Sequence, residues 1–151
     1  WVRDTIPHTR NAGREEVTCA ASEVFKVGTG ICYAKAHLLA SLMRSQQIAC
    51  GFCYQVYENP HSKIPDTMAL HGLNGVYLAS LQRWVRVDSR GNRKGICAEF
   101  CLEQERLAFP ELQMLDDCVY AKPLDCIVEA LTCFEFRSEL WPYLPSVTAT
   151  G

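Results

Sequence analysis

The sequence predicts an α+β domain in which helices lie against an antiparallel sheet. Three observations predict it. Apolar residues recur at helical spacing in "CYAKAHLLASLMRSQQ", before any strand signal. Three stretches rich in strand formers then follow one another, "ACGFCYQVYE", "ALHGLNGVYLAS" and "RWVRVD". Helical character returns only after Pro123.

In chain order, Trp1 to about His8 reads as the tail of a helix. The first residue is not Met, so the chain is expected to be a fragment or a mature product. Thr18 suits the N-cap of a short helix, "CAASEVFKV", which Gly28 is placed to end. The next helix is expected from Cys32 to about Gln47, burying Leu38, Leu39, Leu42 and Met43. A strand and a polar loop with Pro60 and Pro65 follow. The second and third strands should form a hairpin with a two-residue turn near Ala79 to Leu81. "SRGNRKG" is turn chemistry, and Ala98 to Asp117 reads as irregular. "CVYA" is expected as a short strand, and Pro123 to about Glu139 as a closing helix.

A length of 151 residues fits one domain over 1–151. With 48% apolar residues, a core needs no disulfides. The net charge is −2 and no Lys/Arg block appears, so no nucleic-acid partner is expected. Apolar runs fall short of the roughly 18 to 20 residues of a membrane helix, so no membrane partner is expected. Nine cysteines, an odd number, are spread through apolar stretches. That points to reduced, buried thiols in a cytoplasmic protein. "CGFC", from Cys50 to Cys53, and the Cys97–Cys101 pair have the arithmetic of a zinc site. Strand positions three apart face opposite sides, however, and this C-x-x-C opens no helix, so neither metal nor a redox role is expected. No cofactor is expected.

The chemistry is concentrated in three residues. Cys32 opens the long helix, where unpaired N–H groups and the helix dipole favour a thiolate. The same amides can stabilise the oxyanion formed when a thiolate attacks a carbonyl, and Gly30 is expected to leave room for the substrate. A nucleophilic thiol also needs a base that later protonates the leaving group. His71 is the best placed histidine, in an apolar strand beside Gly72, which should leave room at the ring. His8 and His61 lie beside prolines and are expected to be solvated, and His37 points to another face of the helix. Asp88 ends "RWVRVD". With that two-residue turn, His71 and Asp88 fall on one face, opposite or one diagonal step apart, and a different turn register would weaken the pairing. Each residue also has a structural reading: a core thiol, a strand histidine and a turn-forming aspartate. The spacing alone leaves both readings open. Tyr33, Tyr54, Tyr57, Tyr77 and Trp84 are expected in the core or the cleft wall, and Asn74 and Arg90 receive no role.

"GTGICYAKAHLLASLMRSQQIACGFCYQVY", "LHGLNGVYL" and "RWVRVDSRGN" resemble the transglutaminase-like superfamily. Its pattern is a cysteine opening a helix, then a histidine strand, then an aspartate strand. The resemblance covers roughly Trp1 to Asn92. It implies a papain-like α+β fold, with Cys32 as nucleophile, His71 as general base and acid, and Asp88 as orienting carboxylate. It further implies attack on a peptide or protein amide through a thioester acyl-enzyme. Small bacterial-type stand-alone members look more like hydrolases, so a cysteine protease or amidase is expected. The alternatives are a protein-glutamine transglutaminase and a non-catalytic interaction module on the same fold. The sequence departs from the family at Ala49 and Cys50, where a proline and a small or basic residue are common. Calcium dependence is not implied. Animal members take a second oxyanion donor from a tryptophan upstream of the cysteine. Trp1 is upstream here, but the sequence does not bring it to the site.

Overall fold

Helices before and after the strands, and turns between neighbouring strands, give an α+β arrangement with an antiparallel sheet. The computed structural model describes residues 1–92 and 94–148. Part of the "SRGNRKG" turn, at residue 93, therefore lies outside the described residues.

The expected opening helix is a single turn, α1 (Val2–Thr5), because Ile6 is already extended. Helix α2 (Ala21–Val27) starts later than expected. Thr18 does not cap it; its hydroxyl donates instead to the Thr29 carbonyl at 3.1 Å. Glu23 caps from inside, accepting the N–H groups of Cys19 and Ala20 at 2.8 and 3.3 Å. Gly28 ends the helix at φ 76°, the left-handed conformation glycine adopts without strain. Helix α3 (Cys32–Ser45) starts where the sequence predicts. Its buried face is broader than the leucine pattern implies, holding Tyr33, Ala34, Lys35, Ala36, Leu38 and Ala40, while Leu42 is exposed.

The sheet runs β3 (Arg83–Val87), β2 (Thr67–Leu78), β1 (Cys50–Tyr57), β4 (Gln113–Met114), with β5 (Ser146–Thr148) also on β2. β1 and β2 pair in full, with Gln55 opposite His71. The hairpin between β2 and β3 has a four-residue connection rather than the expected two, with Leu78 opposite Arg83. Lengthening a turn by two residues keeps the parity of the pairing, so the shared face of His71 and Asp88 survives.

Two expectations for the C-terminal third are corrected. "CVYA" is not a strand; Tyr120 makes an isolated bridge to Phe52, and the strand lies earlier, at β4. The closing helix is interrupted. α4 (Asp125–Cys133) and α5 (Arg137–Leu140) are separated by an extended segment, in which Phe136 bridges Glu16 and the Glu135 carbonyl accepts the Val17 N–H at 3.0 Å. Pairing with the N-terminal loop outweighs helical continuation there. A one-turn 3₁₀ helix (Trp141–Tyr143) leads from α5 into β5.

The core joins α3 to β1 and β2, with Ile127, Leu131 and Leu140 closing it. Asn74, which has no role in the sequence reading, donates from Nδ2 to the Ala36 and Gly51 carbonyls at 3.0 and 3.1 Å and ties α3 to the sheet. All nine cysteines carry free thiols. Among the described residues, no three His, Cys, Asp or Glu side chains converge as metal ligands, and no helix is long and apolar enough to cross a membrane.

Candidate active site

β3 covers the outer edge of β2 over Asn74–Leu78, and β5 covers it over Thr67–Ala69. Between them, around His71, the edge receives the first turn of α3. Tyr33 makes that junction. Its ring fills the space a side chain at Gly72 would need: a Cβ there would lie 2.7 Å from Tyr33 Cδ1. Its hydroxyl donates to the Leu70 carbonyl. The residues flanking His71 are thus bound to the residue after Cys32. Gly72 makes room for Tyr33 rather than for the imidazole, which corrects the expected reason for that glycine. Gly30 is corrected likewise. A Cβ there would lie 3.0 Å from Ala34 Cβ and 3.3 Å from Thr18 Oγ1, so its smallness serves packing, not substrate.

The three candidate residues meet. His71 Nε2 lies 2.8 Å from Asp88 Oδ2, and both side chains are buried. The Cys32 sulfur is near enough to the same imidazole to raise its proton affinity. With Nε2 on Asp88, Nδ1 is left for the thiol. Cys32 stays partly exposed. Its own N–H and those of Tyr33 and Ala34 precede the first helical bond, from Lys35 N to the Ile31 carbonyl at 3.0 Å.

Burial opposes charge on both partners, yet it is outweighed. The Asp88 carboxylate and the Cys32 sulfur raise the proton affinity of His71 above the ordinary imidazole range. Asp88 is held below the usual carboxylate range by His71 and by two main-chain donors. Those donors are Arg90 N–H, at 2.9 Å from Oδ1, and Ala108 N–H, at 3.0 Å from Oδ2.

Several positions around the three candidates escape the sequence reading. The segment read as irregular returns across His71, where the Phe109 ring stands edge-on to the imidazole at 5.0 Å. Gln55, directly opposite His71, fixes that segment by donating from Nε2 to the Phe109 and Leu112 carbonyls at 3.0 and 3.1 Å. The Arg90 guanidinium lies over the Phe109 ring, 5.5 Å from its centroid. The available signal is "LAFP", an apolar triplet in an otherwise polar run. Lys35, one turn after Cys32, is fully buried and donates to the Arg3 and Arg90 carbonyls at 3.3 and 3.1 Å. Burial pulls its pKa down to about 8. A lysine inside an apolar helical face is the clue.

His8 is corrected outright. It is buried, not solvated, and its strand-like bridge to Gly30 brings it two residues from Cys32. Burial first, then the charges of Arg90, Lys35 and His71, keep it neutral well below the usual imidazole value. His61 is exposed, as expected. His37 is bound elsewhere, with Nδ1 2.8 Å from the Cys19 carbonyl. Trp1 is 60% exposed and its ring packs on Phe25 at 6.0 Å. Tyr33 and Tyr54 belong to the core, and Trp84 is largely exposed.

Residues 1–89 match the family model described as the transglutaminase-like superfamily, a span that holds all three candidate residues. No curated protein and no solved structure matches the chain.

Proposed function

The chain belongs to the transglutaminase-like superfamily, and from that premise we propose that it is a thiol-dependent amide hydrolase of the cysteine protease or amidase kind. The observation that carries the reading is the buried His71–Asp88 pair at 2.8 Å, with Cys32 at the start of α3 acting on the same imidazole.

His71 takes the proton of the Cys32 thiol, and the Asp88 carboxylate stabilises the resulting imidazolium. The Cys32 thiolate attacks the carbonyl carbon of a peptide or protein amide. The oxyanion that forms is met by the free N–H groups of the first turn of α3. Collapse breaks the C–N bond, and the departing amine takes its proton from His71 Nδ1. Water then attacks the thioester with His71 as base. The carboxylic acid leaves and the thiol is restored. The partial exposure of Cys32 leaves water access to the thioester, which favours hydrolysis over transfer to an amine. Nine free thiols fit a reducing compartment, so a cytoplasmic location is part of the proposal.

The test incubates the protein with a panel of glutaminyl, asparaginyl and backbone-amide peptides, with and without a primary amine. Product masses are followed in wild type and Cys32→Ala. Hydrolysed product that persists in the presence of amine and vanishes in the variant supports the proposal. Amine adducts in its place would assign a transglutaminase. Turnover that survives Cys32→Ala would overturn both.

A further inference from the structure

A polar pocket of about 220 Å³ has walls that include Arg3, Asp4, His8, Asn11, Arg90 and Asn92. Two of its residues link it to the candidate triad. His8 bridges Gly30, two residues before Cys32, and Arg90 lies on Phe109, which touches His71.

Several acceptors in this pocket already take a donor. Asn11 Oδ1 accepts from Arg90 Nη2 at 3.4 Å, and Asn92 Oδ1 accepts from Ala98 N–H at 2.8 Å. His8 Nδ1 accepts from Arg10 N–H at 3.2 Å. The rim carboxylate, Asp4, is bound at both oxygens by Arg3, at 2.7 and 2.8 Å. Three main-chain oxygens of the lining residues also take donors. Lys35 Nζ occupies the Arg3 and Arg90 carbonyls, and the Thr29 hydroxyl occupies that of Pro7 at 2.9 Å. The pocket also offers donors: the Nδ2 groups of both asparagines and Nε2–H of His8. The Arg90 guanidinium and the buried Lys35 ammonium add positive charge.

We infer that this pocket is a subsite for a carboxylate carried by the acyl-donor substrate, near its scissile amide. The inference rests on the amide-hydrolase reading and gives it a substrate class. The volume suits one side chain or chain terminus rather than a whole ligand. Asp4 on the rim selects against a dianion such as a phosphate.

The test uses maleimides that share one thiol-reactive group and carry an N-carboxyalkyl arm of two to five methylenes, beside their methyl esters. Modification of Cys32 is read by mass spectrometry, and each rate is divided by that of N-acetylcysteine. A carboxylate bound by two or more charge-assisted hydrogen bonds should react at least about tenfold faster than its ester at one arm length. In the double variant Asn11→Asp, Asn92→Asp the preference should vanish or reverse. Both residues are exposed, and each replacement keeps the Oδ1 acceptor. Equal normalised rates for acid and ester at every length would overturn the subsite. A preference that survives the double variant would overturn its location. The neutral reagent N-ethylmaleimide separates the two readings. If His71→Ala leaves its rate at Cys32 unchanged, the hydrolase reading has failed. If His71→Ala slows it and no acid preference exists, only the subsite has failed.

Discussion

Replacing Asp88 with asparagine changes one charge while conserving shape. Asp88 and His71 are nearly excluded from solvent, with side chains 0% and 4% exposed, so water screens their attraction little. The bonded atoms are 2.8 Å apart. With charge centres about 4 Å apart and an effective dielectric constant of about 20, the attraction is about 4 kcal/mol. Losing it should lower the population of imidazolium, and of the thiolate it accompanies, by about a thousandfold, since about 1.4 kcal/mol is tenfold. The introduced amide must also turn its N–H₂ toward at least one of the Arg90 and Ala108 N–H donors or toward His71. That mismatch should cost about 1 to 3 kcal/mol of stability. The assay is the rate of iodoacetamide modification of Cys32 at pH 6.5, with thermal unfolding as a control for folding. A fall of a hundredfold to a thousandfold in a folded protein is the expected result. A folded Asp88→Asn variant that alkylates within about threefold of wild type would refute the electrostatic role assigned to Asp88.

Three further outcomes follow from the packing around the site. Gly72→Ala would set a methyl 2.7 Å from Tyr33 Cδ1 and 3.3 Å from its Cα. It should lower stability by about 1 to 3 kcal/mol and slow Cys32 alkylation. Tyr33→Phe, which deletes only the hydroxyl bonded to Leu70, should lower stability without a clash; denaturant melts of both variants check this. Lys35 binds its proton less tightly in the folded state, at about 8, than in the unfolded chain, at about 10.5. Between those values the unfolded chain carries the extra proton, so wild type should gain up to about 3 kcal/mol relative to Lys35→Met as pH rises from 8 to 10.5. A stability difference between the two that stays flat across that window would contradict the burial of a charged lysine.

The site is legible in the sequence to the extent that it rests on local patterns. A cysteine at the start of a helix is marked by the glycine-rich turn before it, and the shared face of His71 and Asp88 needs only the parity of a hairpin. That is why the four-residue turn does no damage. Features that depend on chain returns are not legible. Nothing in "EQERLAFPELQ" announces that Ala108 N–H will bind Asp88, because a main-chain donor has no sequence signature. His8 reads as solvated because local polarity says nothing of the helix and loop that later enclose it. The uniform apolar pattern after Pro123 likewise hides the extended break at Phe134–Phe136, which pairing with residues 15–17 imposes.

The most direct measurement is the rate of iodoacetamide modification of Cys32 against pH, site-resolved by mass spectrometry, in wild type and His71→Ala. The account predicts that the wild-type rate falls less than about tenfold from pH 8 to pH 6. At pH 6 the variant should be at least a hundredfold slower. Two superimposed profiles, each following an ordinary free cysteine that titrates near about 8.5, would contradict it and leave a binding module built on an enzyme's fold.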